Sequence, residues 1–86
     1  MPRVILAGSI RQHAGGVGAL EVCGDTARAA IAALEASFPS LRGWVVDEQG
    51  VLRRHVKLFH RGAPISLDEP LAPSSELHIV AAISGG

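Results

Sequence analysis

The alternation of apolar and polar residues predicts two strands near the start of the chain. The segment RVILAGSI (Arg3–Ile10) is short, apolar and partly β-branched, which is typical of a central strand with a glycine interruption. The segment ALEVC (Ala19–Cys23) alternates apolar and polar residues and predicts a returning strand. Three glycines in HAGGVG (His13–Gly18) lie where a hairpin would turn. We therefore expect the two strands to pair as a β-hairpin.

The apolar spacing changes to a helical period in the next segment, GDTARAAIAALEASFPS. One apolar stripe with spacings of four, three and four residues is formed by Ala27, Ile31, Leu34 and Phe38. Asp25 or Thr26 can accept hydrogen bonds from the first-turn amides as the N-cap residue. Pro39 cannot continue a helix, so the helix is predicted to end near Ser37 or Phe38.

A second alternating segment predicts a strand at about Arg54–His60, after a possible turn at Asp47–Gly50. Side chains alternate between the two faces of a strand. Phe59 therefore lies on the face opposite Val56 and Leu58.

The last segments predict a broken stretch and a final strand. Arg61–Glu76 contains one glycine and three prolines, so it holds turns around a short edge strand at best. Glu76–Ile83 is apolar and predicts a strand in which Val80 lies opposite Leu77 and Ile79.

The order of these elements is hairpin, helix, strand, broken segment, strand. One main helix packed across a mixed four- to five-stranded sheet is an α+β arrangement, of which the β-grasp (ubiquitin-like) fold is the common small form. In that fold the first and last strands lie side by side and parallel. We expect a β-grasp domain at residues 1–83 and a flexible tail, Ser84 to Gly86, that leaves a central strand.

Composition supports one globular domain and excludes several functions. The chain has 86 residues, of which 48% are hydrophobic, and its eight basic residues balance eight acidic ones. Net charge therefore gives no reason to expect binding to nucleic acid or a membrane. Its three aromatic residues leave no stacking platform for single-stranded bases. No stretch approaches the roughly 20 apolar residues of a membrane span, and no convincing signal peptide is present.

Residues that could carry catalysis or bind metal have no supporting pattern around them. Cys23 is the only cysteine, which excludes an internal disulfide and indicates a reducing, cytoplasmic setting; we expect a structural thiol. The glycine loop HAGGVG precedes a strand and not a helix, so it is not a phosphate cradle. Four histidines are expected to be solvated or edge residues without a catalytic role: His13, His55, His60 and His78.

Three stretches together resemble the ubiquitin-like sulfur-carrier family, the ThiS/MoaD group. IRQHAGG (Ile10–Gly16) is similar to the family's first hairpin, and GDTARAAIAALEASFP (Gly24–Pro39) to its helix. LDEPLAPSSELHIVAAISGG (Leu67–Gly86) is similar to its closing strand and terminal Gly-Gly. The polar turn before the last strand departs from the usual family pattern, since PSSEL stands there.

The resemblance implies a carrier protein and not an enzyme. A ubiquitin-activating-like enzyme would use ATP to adenylate the carboxylate of Gly86, and sulfur would replace AMP to give a thiocarboxylate. No cofactor would be bound by the chain itself. Ser84 and Gly85 would thread into a narrow channel of that enzyme, where a glycine offers no side chain and permits positive φ.

The partners implied are this adenylating enzyme and a biosynthetic enzyme that accepts the sulfur. By strand parity Phe59 and Val80 point away from the helix, on the face that docks partners in the family. The long segment after the helix and the HAGG hairpin resemble the molybdopterin-type and cysteine-synthesis carriers more than the shorter thiamine carriers. Of these two we favour a cysteine-synthesis carrier, with a molybdopterin synthase small subunit as the alternative. A protein modifier joined to lysine through Gly86, and a β-grasp binding domain with an incidental tail, stay open.

Overall fold

A computed structural model of the chain describes residues 1–81. Five strands form a single sheet: β1 Arg3–Gly8, β2 Ala19–Glu21, β3 Val56–His60, β4 Ala63–Pro64 and β5 Glu76–Ala81. The helices are α1 Ser9–His13, α2 Ala27–Ser37 and a 3₁₀ turn at Pro39–Leu41. No helix in this part of the chain has the length and apolar character needed to cross a membrane.

The sheet is mixed, and β5 lies at its centre. The strand order is β2-β1-β5-β3-β4, with β5 parallel to β1 and antiparallel to β3. Strands β1 and β2 pair antiparallel, as the hairpin prediction requires. A five-stranded mixed sheet with one long helix against it confirms the predicted β-grasp fold. The last two residues of the predicted domain, 82 and 83, lie outside the described residues.

Helix α2 begins and ends where its sequence predicts. The Thr26 side chain accepts a hydrogen bond from the amide of Ala29 at 3.1 Å, which identifies the N-cap. Such a cap contributes about 1 kcal/mol to stability. The helix ends at Ser37, before Pro39, and the apolar stripe on its inner side includes Ile31 and Leu34, which are buried.

The core lies between this stripe and one face of the sheet. Strands β3 and β5 alternate as predicted, because Leu58, Leu77 and Ile79 are buried while Phe59 and Val80 are half-buried on the other face. Burying one such Leu or Ile side chain stabilises the fold by about 1.5–3 kcal/mol.

The predicted extent of the first strand is wrong. β1 ends at Gly8, whose φ is 76°, and the chain then forms the short helix α1. Ile10, expected at the end of the strand, is buried in this helix and closes one end of the core. The connection between β1 and β2 is therefore a helical turn and not a tight glycine hairpin. The sequence also predicts a strand that begins at about Arg54, and the observed strand, β3, begins two residues later, at Val56.

Candidate functional site

The end of β5 is the place from which the predicted reactive tail continues. Ala81, the last described residue, is buried and pairs with Gly8 on β1 and with Val56 on β3. Neighbouring strands therefore hold the chain on both sides at this point. The predictions for Ser84, Gly85 and Gly86 lie outside the described residues.

Gly8 makes the close approach of β1 and β5 possible at this point. A Cβ atom on residue 8 would overlap the carbonyl oxygen of Ala81. The positive φ of Gly8 is also a conformation that residues with side chains rarely adopt. Two independent constraints thus require glycine beside the point where the tail begins.

Phe59 and Val80 lie on the outer face of the sheet, as strand parity predicts. Phe59 is opposite His78 across the β3–β5 pair, and Val80 is opposite Lys57, so the two apolar side chains are diagonal neighbours. Neither belongs to the hydrophobic core or packs against it. The face continues onto β1 through Ile5, which is paired with His78. Both Phe59 and Val80 are half-buried, so they form a shallow apolar patch without a projecting aromatic ring.

A cleft around Trp44 is a second feature of the same end of the molecule, and the sequence did not point to it. Trp44 is 44% exposed, and its ring stacks on that of His13 with the ring centroids 3.9 Å apart. The hydroxyl of Ser40 donates to the carbonyl of His13 at 2.6 Å, which fixes the end of α1 against the 3₁₀ turn. The cleft has a volume of about 420 Å³ and is lined by Arg42, Gly43, Trp44, Arg53 and His55. Spacing could not reveal it, because His13 and Trp44 are far apart in the chain.

His60 contradicts the expectation that the histidines are solvated or edge residues. Its side chain is buried at 6% exposure, with Nδ1 3.0 Å from the carboxylate of Glu69 and Nε2 3.0 Å from the hydroxyl of Ser75. The Ser75 hydroxyl also accepts a hydrogen bond from the amide of Ala72 at 2.9 Å. This network joins β3 to the loop before β5, and it lies at the end of the sheet opposite Ala81.

Cys23 and the remaining histidines form no catalytic or metal arrangement in residues 1–81. The Cys23 thiol is exposed, so the prediction of a structural thiol is wrong; it follows β2 and contributes nothing to the core. No group of three potential ligands comes together within these residues.

Glu35 is the one carboxyl group on α2, and it is partly withdrawn from water. One of its oxygens is buried and has no hydrogen-bond partner among the described residues. Burial raises the pKa of this carboxyl, and the nearby Arg42 guanidinium opposes the shift.

Comparison with known proteins finds similar proteins among the solved structures. No family model matches the chain, and no curated protein matches it significantly. The crystal structure of SAMP1 from Haloferax volcanii is 30% identical, with a TM-score of 0.82, and the match covers 99% of this chain and 98% of that one. The chain belongs to the ubiquitin-like sulfur-carrier family.

Two further solved structures are similar to this chain over nearly its whole length. Mycobacterium tuberculosis CysO is 25% identical, with a TM-score of 0.83 over 96% of this chain and all of that one. The Amycolatopsis orientalis BexX/CysO complex matches at 22% identity and a TM-score of 0.86, covering both chains completely, which shows the shared fold. These neighbours are small carrier or modifier proteins rather than enzymes. The complex is a structure in which such a protein is bound to a partner.

Proposed function

We propose that this protein carries sulfur as a thiocarboxylate on Gly86. The observation that carries the proposal is the full-length match to SAMP1, combined with a central β5 that continues toward Ser84, Gly85 and Gly86. The carrier itself performs no catalysis, and it binds no cofactor. Its setting is the cytoplasm, where ATP is available to the activating enzyme.

The chemistry explains why activation is needed. A carboxylate is a poor acyl electrophile, so its oxygen first attacks the α-phosphate of ATP, which releases pyrophosphate and forms an acyl-adenylate. A sulfur nucleophile then attacks the carbonyl carbon, and AMP leaves as the C–O bond breaks. The resulting thiocarboxylate is a strong nucleophile that stays covalently attached and does not diffuse away.

Two partners follow from this sequence of steps. A ubiquitin-activating-like enzyme receives the tail and supplies ATP, and a biosynthetic enzyme later accepts the sulfur. Ordering each tail residue costs about 1–2 kcal/mol, which contacts elsewhere must offset. The outer-face patch of Phe59 and Val80 supplies these contacts, because it is apolar, lies outside the core and ends beside Ala81.

Cysteine synthesis is our first choice for the receiving pathway. The long segment after the helix, Leu41–Arg54, and the HAGG turn favour a cysteine-type carrier over the shorter thiamine carriers. The full-length likeness to CysO supports this choice. A molybdopterin synthase small subunit is the alternative, and it would need a larger catalytic subunit around its tail.

A second candidate function is conjugation of Gly86 to lysines of other proteins. The relative with 30% identity supports it, since SAMP1 of Haloferax volcanii is also described as small archaeal modifier protein 1. Both functions begin with the same adenylate and differ only in the nucleophile that attacks it.

Intact mass spectrometry separates these functions. The protein is incubated with its activating enzyme, ATP and a sulfide donor, and we expect the mass gain of one oxygen replaced by sulfur. Gly86→Phe should abolish ATP–pyrophosphate exchange and leave the melting temperature unchanged. Gly62→Ala, at the far end of the sheet, is the matched control and should still be activated.

Three results would contradict the proposal in different ways. High-mass conjugates without the sulfur-dependent gain would favour the modifier function. Pyrophosphate exchange by the Gly86→Phe variant would show that Gly86 is not the activated residue. No ATP-dependent change at all in the wild-type protein would leave a β-grasp binding domain with an incidental tail.

A further inference from the structure

The sheet defines two ends of the molecule. The tail end is where Ala81 of β5 pairs with Gly8 and Val56. The opposite end is where Glu76 of β5 pairs with Arg3. Because α1 follows Gly8 directly and contacts the 3₁₀ turn through Ser40, both short helices lie at the tail end.

Four arginines lie at or near the tail end, although the chain has no net charge. At the tail end, Arg11 follows Gly8 by three residues, and Arg53 and Arg54 come just before Val56. At the opposite end, Glu21 pairs with Arg3, and the Glu69 carbonyl accepts a hydrogen bond from the first amide of α2. The tail-end cations are Arg11, Arg42, Arg53 and Arg54, with the carboxylates of Glu35, Asp47 and Glu48 near Arg42 and Arg53. The opposite end carries Glu21, Asp68, Glu69 and Glu76 together with Arg3 and Arg61.

The tail-end arginines form no salt bridge with residues 1–81, although Glu35 lies near Arg42 and Asp47 lies near Arg53. Salt bridges between acidic and basic side chains of residues 1–81 involve Arg3 and Arg28, with Glu76 and Asp68 as their partners. Two tail-end guanidiniums make hydrogen bonds only to backbone carbonyls: Arg11 to Gly16 and Arg53 to Gly43. The nearest turn places Asp47 and Glu48 beside Arg53. Asp47 accepts hydrogen bonds from the amides of Val51 and Gln49 within its own turn, and these bonds together with the Arg53 charge lower the pKa of its carboxyl group.

The Trp44 cleft is lined by two of these arginines, Arg42 and Arg53. Its lining contains two guanidiniums, an imidazole and an exposed indole, but no carboxylate. The bond from Arg53 Nε to the Gly43 carbonyl holds the guanidinium in place. A guanidinium fork binds a carboxylate through two parallel hydrogen bonds, and a tryptophan in such a setting is a frequent anchor of protein interfaces.

We propose that the Trp44 cleft docks an acidic segment of the protein that receives the tail. One or two carboxylates pair with Arg53 and Arg42, while an apolar side chain packs on Trp44. A protein that engages Gly86 must cover the tail end, and this cleft borders it through His55 and Val56. This inference rests on the proposed function for the identity of the partner. The complementary charge would also steer association and orient the carrier tail-first.

Trp44 is the only tryptophan in the chain, so its fluorescence reports on the cleft directly. The probe is a hexaglutamate peptide carrying one leucine, with the equivalent hexalysine peptide as the control. We expect a saturable change of emission with the acidic peptide and none with the basic one. The change should be lost near 1 M salt, where the Debye length falls to about 3 Å.

Charge reversal locates the binding surface. Arg53→Glu should weaken the acidic peptide about tenfold or more, the effect of losing one charge-assisted hydrogen bond. Arg54→Glu, whose side chain makes no hydrogen bond in the described structure, is a second tail-end variant in case the first does not fold. Arg61→Glu, at the opposite end, is the matched control and should bind as wild type does.

Four outcomes would overturn the inference: no response to the acidic peptide, an equal response to the basic one, an equal loss in Arg61→Glu, or a response to inorganic phosphate alone. The last would indicate a small-anion site instead. The chain lacking Gly85 and Gly86 should bind the peptide normally, which separates this test from the proposed function. With the activating enzyme, Arg53→Glu should raise the KM for the carrier in pyrophosphate exchange and leave kcat unchanged.

Discussion

The two ends of the sheet differ in how their polar groups are used. At the opposite end, His60 joins Glu69 and Ser75 in a largely buried network, and Arg3 and Arg28 have carboxylate partners. At the tail end, the guanidiniums form no salt bridge in the described structure, although Glu35 and Asp47 lie near two of them, and Trp44 is exposed. Polar groups that bond one another stabilise the fold, whereas polar groups left free are available to a partner. The buried polar network therefore lies at the end of the sheet away from the proposed binding surface.

This separation has a physical advantage for a protein that changes partners. A buried hydrogen-bond network costs free energy when any member is removed, so its residues cannot be exchanged freely. Surface cations on short loops carry little of the folding free energy. If the proposed partners bind at the tail end, they can bind and leave without loosening the core behind it.

Alanine variants of Gly8 and Gly62 should show the largest difference in stability between the tail end and the opposite end. Both have nearly the same positive φ, 76° and 77°, but a Cβ on residue 62 meets no atom within 4 Å, while one on residue 8 overlaps Ala81. Gly62→Ala should cost about 1 kcal/mol from backbone strain alone. Gly8→Ala should cost about 3 kcal/mol or more, because β1 must move away from β5.

Denaturant unfolding of the two alanine variants measures this difference. Equal losses in the two would mean that conformation alone, and not the close approach of the strands, requires glycine at position 8. Hydrogen exchange of the β1–β5 amides should increase in Gly8→Ala and stay unchanged in Gly62→Ala.

Removing His60 tests whether the opposite end is the stabilising one. His60→Ala removes the hydrogen-bond partner of the Glu69 carboxylate and one of the two partners of the Ser75 hydroxyl, which should cost about 1–3 kcal/mol. His55→Ala, whose imidazole is half-buried and makes no side-chain hydrogen bond in the described residues, should cost less than about 0.5 kcal/mol. Chemical denaturation of both variants decides the point. Similar values would show that the network contributes nothing beyond packing.

A Phe59 variant tests whether the outer face of the sheet contributes to binding of the enzyme that receives the tail. Phe59→Ala should weaken binding of the activating enzyme about tenfold and lower the melting temperature only slightly, because the ring lies outside the core. Its neighbour Leu58, on the buried face, is the contrast, since Leu58→Ala should cost about 2–5 kcal/mol. Calorimetry and a binding titration measure the two effects. A large stability loss in Phe59→Ala would place the ring in the core.

Replacement of Glu35, the carboxyl group near Arg42, should have the smallest effect on stability. Its pKa is raised in the folded protein, so the folded state holds the proton more tightly than the unfolded state. Wild-type stability should fall as the pH rises from the ordinary carboxyl pKa through the raised value. Glu35→Gln should remove this dependence and be slightly more stable at neutral pH. Melting temperatures of the two proteins across the acidic pH range measure this dependence. The same pH dependence in both proteins would contradict the prediction.

Local sequence patterns predicted most of the fold. Helix α2 follows from one apolar stripe, the Thr26 cap and Pro39, all of which act within one or two turns. The inward and outward faces of β3 and β5 follow from strict alternation, so the outer-face position of Phe59 and Val80 was predictable too. Resemblance over the whole chain then indicated the β-grasp fold and the carrier family.

Tertiary structure decided the features in which distant residues meet. Glycine is required at residue 8 because a Cβ there would overlap the Ala81 carbonyl oxygen, a constraint that exists only once β5 lies beside β1. His60 is buried because the loop before β5 brings Glu69 and Ser75 to it. Local periodicity contains no information about such contacts.

The distribution of charge in space is another feature that local sequence patterns do not predict. By itself, the sequence determined that the charges sum to zero, together with the elements and the terminal Gly-Gly. Only the fold brought Arg42 and Arg53 together beside Trp44 and placed Glu21 and Glu76 at the opposite end. A sum over the chain is independent of position, whereas an electrostatic field depends on where each charge lies.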